Sequence, residues 1–106
     1  MKEIVLPATG GARPALIDIE FHTACLFAAG GGVIKFVCPA DNPDRFKQIK
    51  NHLKLMLGEE RIKLLIQGED FVPDSRGARI LEAYYPETLG DKDFGKKRND
   101  IFIVMV

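Results

Sequence analysis

Two runs leave this 106-residue chain little freedom of architecture: Val33 to Cys38, apolar except for Lys35, and Ile101 to Val106, apolar throughout. Without polar alternation neither run can turn one side to water, so each reads as a strand buried on both faces. Such strands need a covering layer on each side, and the segments between them carry helical spacing that can supply it.

Glu3 to Leu6 is a shorter apolar run stopped by Pro7 and the small, flexible stretch Ala8 to Ala12, the pattern of an edge strand and a loop. Ile62 to Ile66, closed by Gln67-Gly68, reads as a third strand before the C-terminal one. For the helix after Cys38, Asn42 serves as N-cap and Pro43 as first residue, and Phe46, Ile49, Leu53, Met56 and Leu57 recur at helical spacing up to Gly58. Pro73 with Asp74 or Ser75 opens another helix to about Tyr84, with Ile80, Leu81 and Ala83 or Tyr84 inward and Pro86 ending it. A polar loop, Glu87 to Asn99, leads into the last strand.

Ala15 to Ala29 admits two readings. Ile17, Ile19 and Phe21 alternate with Asp18, Glu20 and His22 as in a half-buried strand. In a helix, Pro14 suits the first turn, Leu16, Ile19, Ala24, Leu26 and Phe27 share a broad face, and Gly30-Gly31-Gly32 makes the stop. The helix is preferred, because a hairpin leaves only a stubby connection before Val33. The expected fold is α/β: a four-stranded mixed sheet with about three helices packed on its faces, in one domain over residues 1–106.

Fifteen basic residues balance fifteen acidic ones, so no global field draws the chain to nucleic acid or to an anionic membrane, and any such binding needs a local patch. Two cysteines are too few for a disulfide scaffold, and no signal peptide or membrane-spanning run is apparent, which makes the cytoplasm the expected compartment.

The clearest local patch is Lys47, Lys50 and Lys54, whose offsets of three and four put the ammonium groups in one stripe opposite the apolar face of their helix. A phosphate backbone can lie along such a stripe; an ordinary solvated face is the plainer alternative. Lys96-Lys97-Arg98 forms a second basic cluster in the late loop, with the same alternative. His22 and His52 lack zinc-ligand spacing to the cysteines or to each other, so no metal site and no cofactor is expected. Cys38 ends a central strand, where open α/β sheets place ligands, yet a thiol bounding an apolar strand is usually a packing residue. Glu69, Asp70, Asp91 and Asp93 can gather around a divalent cation or serve merely as caps and solubilising groups.

Gly68-Glu69-Asp70-Phe71, Tyr85-Pro86, Asp91-Lys92-Asp93-Phe94-Gly95-Lys96 and Asn99-Asp100-Ile101-Phe102-Ile103-Val104 together resemble the C-terminal pattern of the small MutS-related (Smr) domain, in its short stand-alone bacterial form. Met1 to Ile4 and Val33 to Val37 are compatible with it. The resemblance implies a four-stranded mixed sheet and a nicking or RNA-cleaving endonuclease, or a nucleic-acid-binding relative. The family's signature is a His-Gly-x-Gly loop directly after the second strand; here that loop reads Cys38-Pro39-Ala40-Asp41, without the histidine or either glycine. Proline removes a backbone donor and fixes its own φ, so this loop cannot form the same phosphate cradle. No catalytic residue carries over.

Three functions follow as expectations. The first is a catalytically degenerate Smr-like domain that binds DNA or RNA weakly through Lys47, Lys50, Lys54 and the cluster Lys96, Lys97 and Arg98. The second is a structural or regulatory module that self-associates as a homodimer or docks on a protein partner, with Leu89, Phe94 and Phe71 as its apolar patch. The third is a metal-dependent nicking enzyme using Asp41, Glu69, Asp70, Asp91 or Asp93.

Overall fold

The computed structural model describes residues 1–39 and 42–106. Strand β1 (Lys2–Val5) leads to α1 (Arg13–Ala28), β2 (Val33–Val37), α2 (Pro43–Gly58), β3 (Leu64–Gln67), α3 (Arg76–Tyr84) and β4 (Ile101–Met105), with 3₁₀ turns at Gly68–Asp70 and Pro86–Gly90. The four strands form one mixed sheet in the order β1-β2-β4-β3. β1 runs parallel to β2, and β4 lies antiparallel between β2 and β3. The two apolar runs thus become the two central strands, as burial on both faces demands.

Alternation along β2 and β4 divides the core into two layers. Ile34, Phe36, Phe102 and Val104 meet Ala15 and Ile19 of α1 and Ile49, Leu53 and Met56 of α2. On the opposite face Val33, Ile101, Ile103 and Met105 join Ile66, Phe71 and Leu81, with Leu89 and Phe94 packed against them. Helices α1 and α2 therefore cover one face, and α3 with the late loop covers the other.

Capping chemistry fixes two helix starts. The Asn42 side chain accepts from the Arg45 amide at 3.1 Å, and Ser75 Oγ accepts from the Ala78 amide at 3.1 Å. Segment Ala15 to Ala29 resolves as helix, not hairpin, and the run of glycines after it takes φ of 101°, 100° and 149°, conformations that stop a helix and favour glycine.

Several local expectations are corrected. The third strand starts two residues late, at Leu64, because Glu60 takes a left-handed φ of 61° and the chain uses the residues up to Lys63 to leave α2. In α1, Ala15, Ile19 and Thr23 are buried and Leu16 and Leu26 pack against the same core, as expected of Leu16, Ile19 and Leu26, whereas Ala24 and Phe27 face out. Thr23 is tolerated inside because its hydroxyl donates to the Ile19 carbonyl at 2.8 Å. Leu57 is exposed at the end of α2. In α3, Ala78 and Leu81 are buried, Ile80 is half-buried, and Ala83 and Tyr84 are exposed, while Tyr85 packs inward beyond the helix. No helix among the described residues is long and apolar enough to cross a membrane.

Candidate functional site

Helix α2 buries Ile49, Leu53 and Met56 and turns the opposite face to water. Lys47 and Lys54 are exposed on it and Lys50 is partly so. Their spacing puts neighbouring stems about 5–6 Å apart, in a stripe of roughly two turns. Among the described residues none of the three has a carboxylate within ion-pair distance. The helix carries Arg45 and these three lysines against a single acid, Asp44, so a chain of zero net charge concentrates positive charge here.

Arg45 is not part of the exposed stripe. It is 2% exposed, and its Nε donates to the Gly11 carbonyl at 2.9 Å, with Nη1 3.5 Å from the Pro39 carbonyl. Its Nη2 has no hydrogen-bond partner among the described residues. The guanidinium ties the loop before α1 to the one before α2, at the end of the sheet where β1 and β2 finish. Cys38 lies at that end, fully buried, its amide donating to the Asp100 carbonyl at 2.7 Å. Pro39 is half-buried, and the other two residues of the motif loop, Ala40 and Asp41, lie outside the described residues.

The second basic cluster does not extend the first. It belongs to the loop on the opposite face of the sheet from α2. Lys96 and Lys97 are exposed there, Lys97 with a left-handed φ of 56°. Arg98 is instead engaged: it donates through Nε and Nη2 to Asp100 at 2.8 and 2.6 Å, and through Nη1 to Asp93 at 3.2 Å. These bonds raise its pKa, and they hold Asp100 below the usual carboxylate range.

Asp91 and Asp93 are drawn to a residue that the sequence marks only as a break in an apolar run. Lys35, 1% exposed in the middle of β2, sends Nζ to Asp93 at 2.7 Å, Asp91 at 2.8 Å and Glu3 at 2.9 Å. Glu3 is its direct cross-strand neighbour on β1. Burial works to lower the pKa of this ammonium, but the hydrogen bonds it donates to the three carboxylates outweigh it and raise the pKa above the ordinary lysine value. Burial of Asp93 pushes its carboxyl up, and the bonds from Lys35 and Arg98 more than reverse this and lower it. A chain of alternating charge, Glu3, Lys35, Asp93, Arg98, Asp100, thus fastens the late loop to the sheet. The signal was present in sequence: a lysine inside a strand buried on both faces must find acids, and Asp91 and Asp93 are spaced to offer two.

The remaining acids do not join them. Glu69 and Asp70 are exposed, and no group of three or more histidine, cysteine, aspartate or glutamate side chains among the described residues is arranged to hold a metal ion. His52 is half-buried, not freely solvated, with Nε2 2.8 Å from Glu20 Oε1; Arg61 also pairs with Glu20. The apolar patch expected from Leu89, Phe94 and Phe71 is only partly at the surface: Phe71 is fully buried in an edge contact with Phe94, and Leu89 and Phe94, packed against the same core, are partly exposed.

Comparison with protein-family models, curated proteins and solved structures finds no match to this chain.

Proposed function

We propose that this chain is a non-catalytic nucleic-acid-binding domain of Smr-like character, contacting phosphates through the outer face of α2. The observation that carries the reading is the segregation of charge: Lys47, Lys50 and Lys54 form a cationic stripe without an ion-pair partner among the described residues, in a chain whose fifteen bases and fifteen acids balance overall. Lys35, Arg61 and Arg98 are by contrast neutralised by adjacent carboxylates, and the other cations without an ion pair among the described residues, such as Lys2, Lys63 and Lys96, do not stand three in line on one helix face. Flexible lysine ammoniums act as point charges toward phosphate and read no base edge, so the binding is weak, salt-sensitive and tolerant of sequence.

The signature loop of the resembling family supplies no histidine here, and Asp91 and Asp93 direct their carboxylates at Lys35. Both facts favour binding over cleavage. Lys96 and Lys97, on the other face, belong to the surface only where a longer strand wraps the edge of the domain.

The test is fluorescence anisotropy of labelled single-stranded RNA and duplex DNA at low salt, with the Lys47/Lys50/Lys54→Ala variant beside the parent. Binding by the parent and its loss in the folded variant support the reading. No binding by the parent, or equal binding by both, overturns it.

A further inference from the structure

Helix α1 is apolar on two opposite sides. Ala15, Ile19 and Thr23 face the sheet, and on the reverse side Ile17, Phe21, Ala24 and Ala28 are exposed. A second large apolar face on a helix is an interaction surface unless a neighbour covers it. Here Ile17 is 57%, Phe21 61% and the neighbouring Phe27 72% exposed, three large apolar groups on one helix.

The exposed residues follow steps of four, three and four, which is the seam of a paired helix and not the broader face that packs on a sheet. Their sizes are also ordered along the helix, bulky at Ile17 and Phe21, small at Ala24 and Ala28. Two copies laid antiparallel match one order with the other: Phe21 of each enters the space over the partner's Ala24, and Ile17 the space over the partner's Ala28. Between Ile17 and Ala28 no charged side chain lies on the seam; Asp18 and Glu20 flank it, and exposed Arg13, four residues before Ile17, continues its line at the N-terminal end of the helix. The antiparallel arrangement also opposes the two helix dipoles favourably.

The area is sufficient. Taking aromatic side chains at roughly 200 Å², the exposed fractions of Ile17 and Phe21 with the two alanines offer about 350 Å² per copy, and Phe27, beside the seam on the α2 side, brings this to about 500 Å² when the partner covers it as well. The pair then hides on the order of 1,000 Å², the lower limit for a specific interface. We infer that the chain forms a twofold dimer through antiparallel pairing of α1, with Phe21 against the partner's Ala24 as its central contact. The inference is independent of the nucleic-acid reading, because α2 takes no part in the seam.

Sedimentation or light scattering on the full chain, from about 1 to about 500 µM, brackets the micromolar affinity that an interface of this size supports. The mass should double from 11.8 kDa as concentration rises. Phe21→Asp and Ala24→Phe, both at exposed positions and checked for an unchanged helical spectrum, should stay monomeric. The size swap Phe21→Ala/Ala24→Phe should recover the dimer. A parent chain that is monomeric throughout, or a dimer indifferent to Phe21→Asp, overturns the proposal; a swap that fails to recover association overturns the register.

Discussion

Replacing Lys35 by Met keeps the apolar stem that fills the middle of β2 and removes only the ammonium. Asp93, 7% exposed, then keeps Arg98 as its one cationic partner, and Asp91 is left without one. Breaking a buried ion pair from one side costs about 3–5 kcal/mol. The surviving Arg98 contact and the more open position of Glu3 place the cost at the lower end, about 3 kcal/mol. For a domain of this size that is a fall of about 12–24 °C in Tm. Circular dichroism melts at pH 7 measure it directly. The origin of the loss is tested by repeating them at acid pH, where the stranded carboxylates of the variant take up protons and cease to be a buried charge. The gap between parent and variant should narrow as pH falls below about 4. A Tm change under about 4 °C at pH 7, or a gap that widens in acid, would refute the reasoning.

The parent chain should itself lose stability in acid. Asp93 and Asp100 are held below their ordinary values in the fold, so their contribution is complete above the unfolded value near 3.9 and disappears as pH falls through the lower folded values; Arg98→Gln should flatten that part of the pH profile. Lys35 behaves oppositely: its raised pKa gives a contribution that is complete below about 10.4 and is lost only in stronger alkali. Gly68→Ala should destabilise by more than about 2 kcal/mol in urea unfolding, since the new methyl meets the Arg98 carbonyl and the Ile101 side chain. Gly58→Ala, with no atom near the added group, should be neutral or stabilising by about 0.4–1 kcal/mol. A thiol reagent should label Cys25 rapidly in the native state and reach Cys38 only on unfolding; fast labelling of both would contradict the burial of Cys38.

The fold was legible where the sequence pattern strongly favours one physical solution. A six-residue uninterrupted run such as Ile101 to Val106 is too short for a typical helix and fits a central strand, and Asn42-Pro43 followed by an apolar stripe is a strong helix start. The inward face of α1 was only partly legible: Leu16, Ile19 and Leu26 pack inward as expected and Ala24 and Phe27 do not, because apolar residues on both sides of that helix leave periodicity without a sharp direction. The lysine stripe could be placed on a helix but not weighed, since whether a cation is neutralised depends on partners far along the chain. Arg98 illustrates this: its cluster looks like Lys96 and Lys97 in sequence, and only the packing of the late loop shows that Asp93 and Asp100 hold it. Lys35 is the converse case, visible as an anomaly whose three partners come from β1 and from a loop more than fifty residues away.

The charge asymmetry of α2 is the centre of the functional account, and the salt dependence of binding tests it most directly. Three phosphate contacts predict a slope of log K against log[salt] of about −2.7 for duplex DNA and about −2.1 for a single strand. Replacing Lys50 alone by Ala should reduce the slope by about one contact, to roughly −1.8 and −1.4. Those slopes would place the phosphates on the α2 stripe; a slope near zero, or one unchanged by Lys50→Ala, would contradict it.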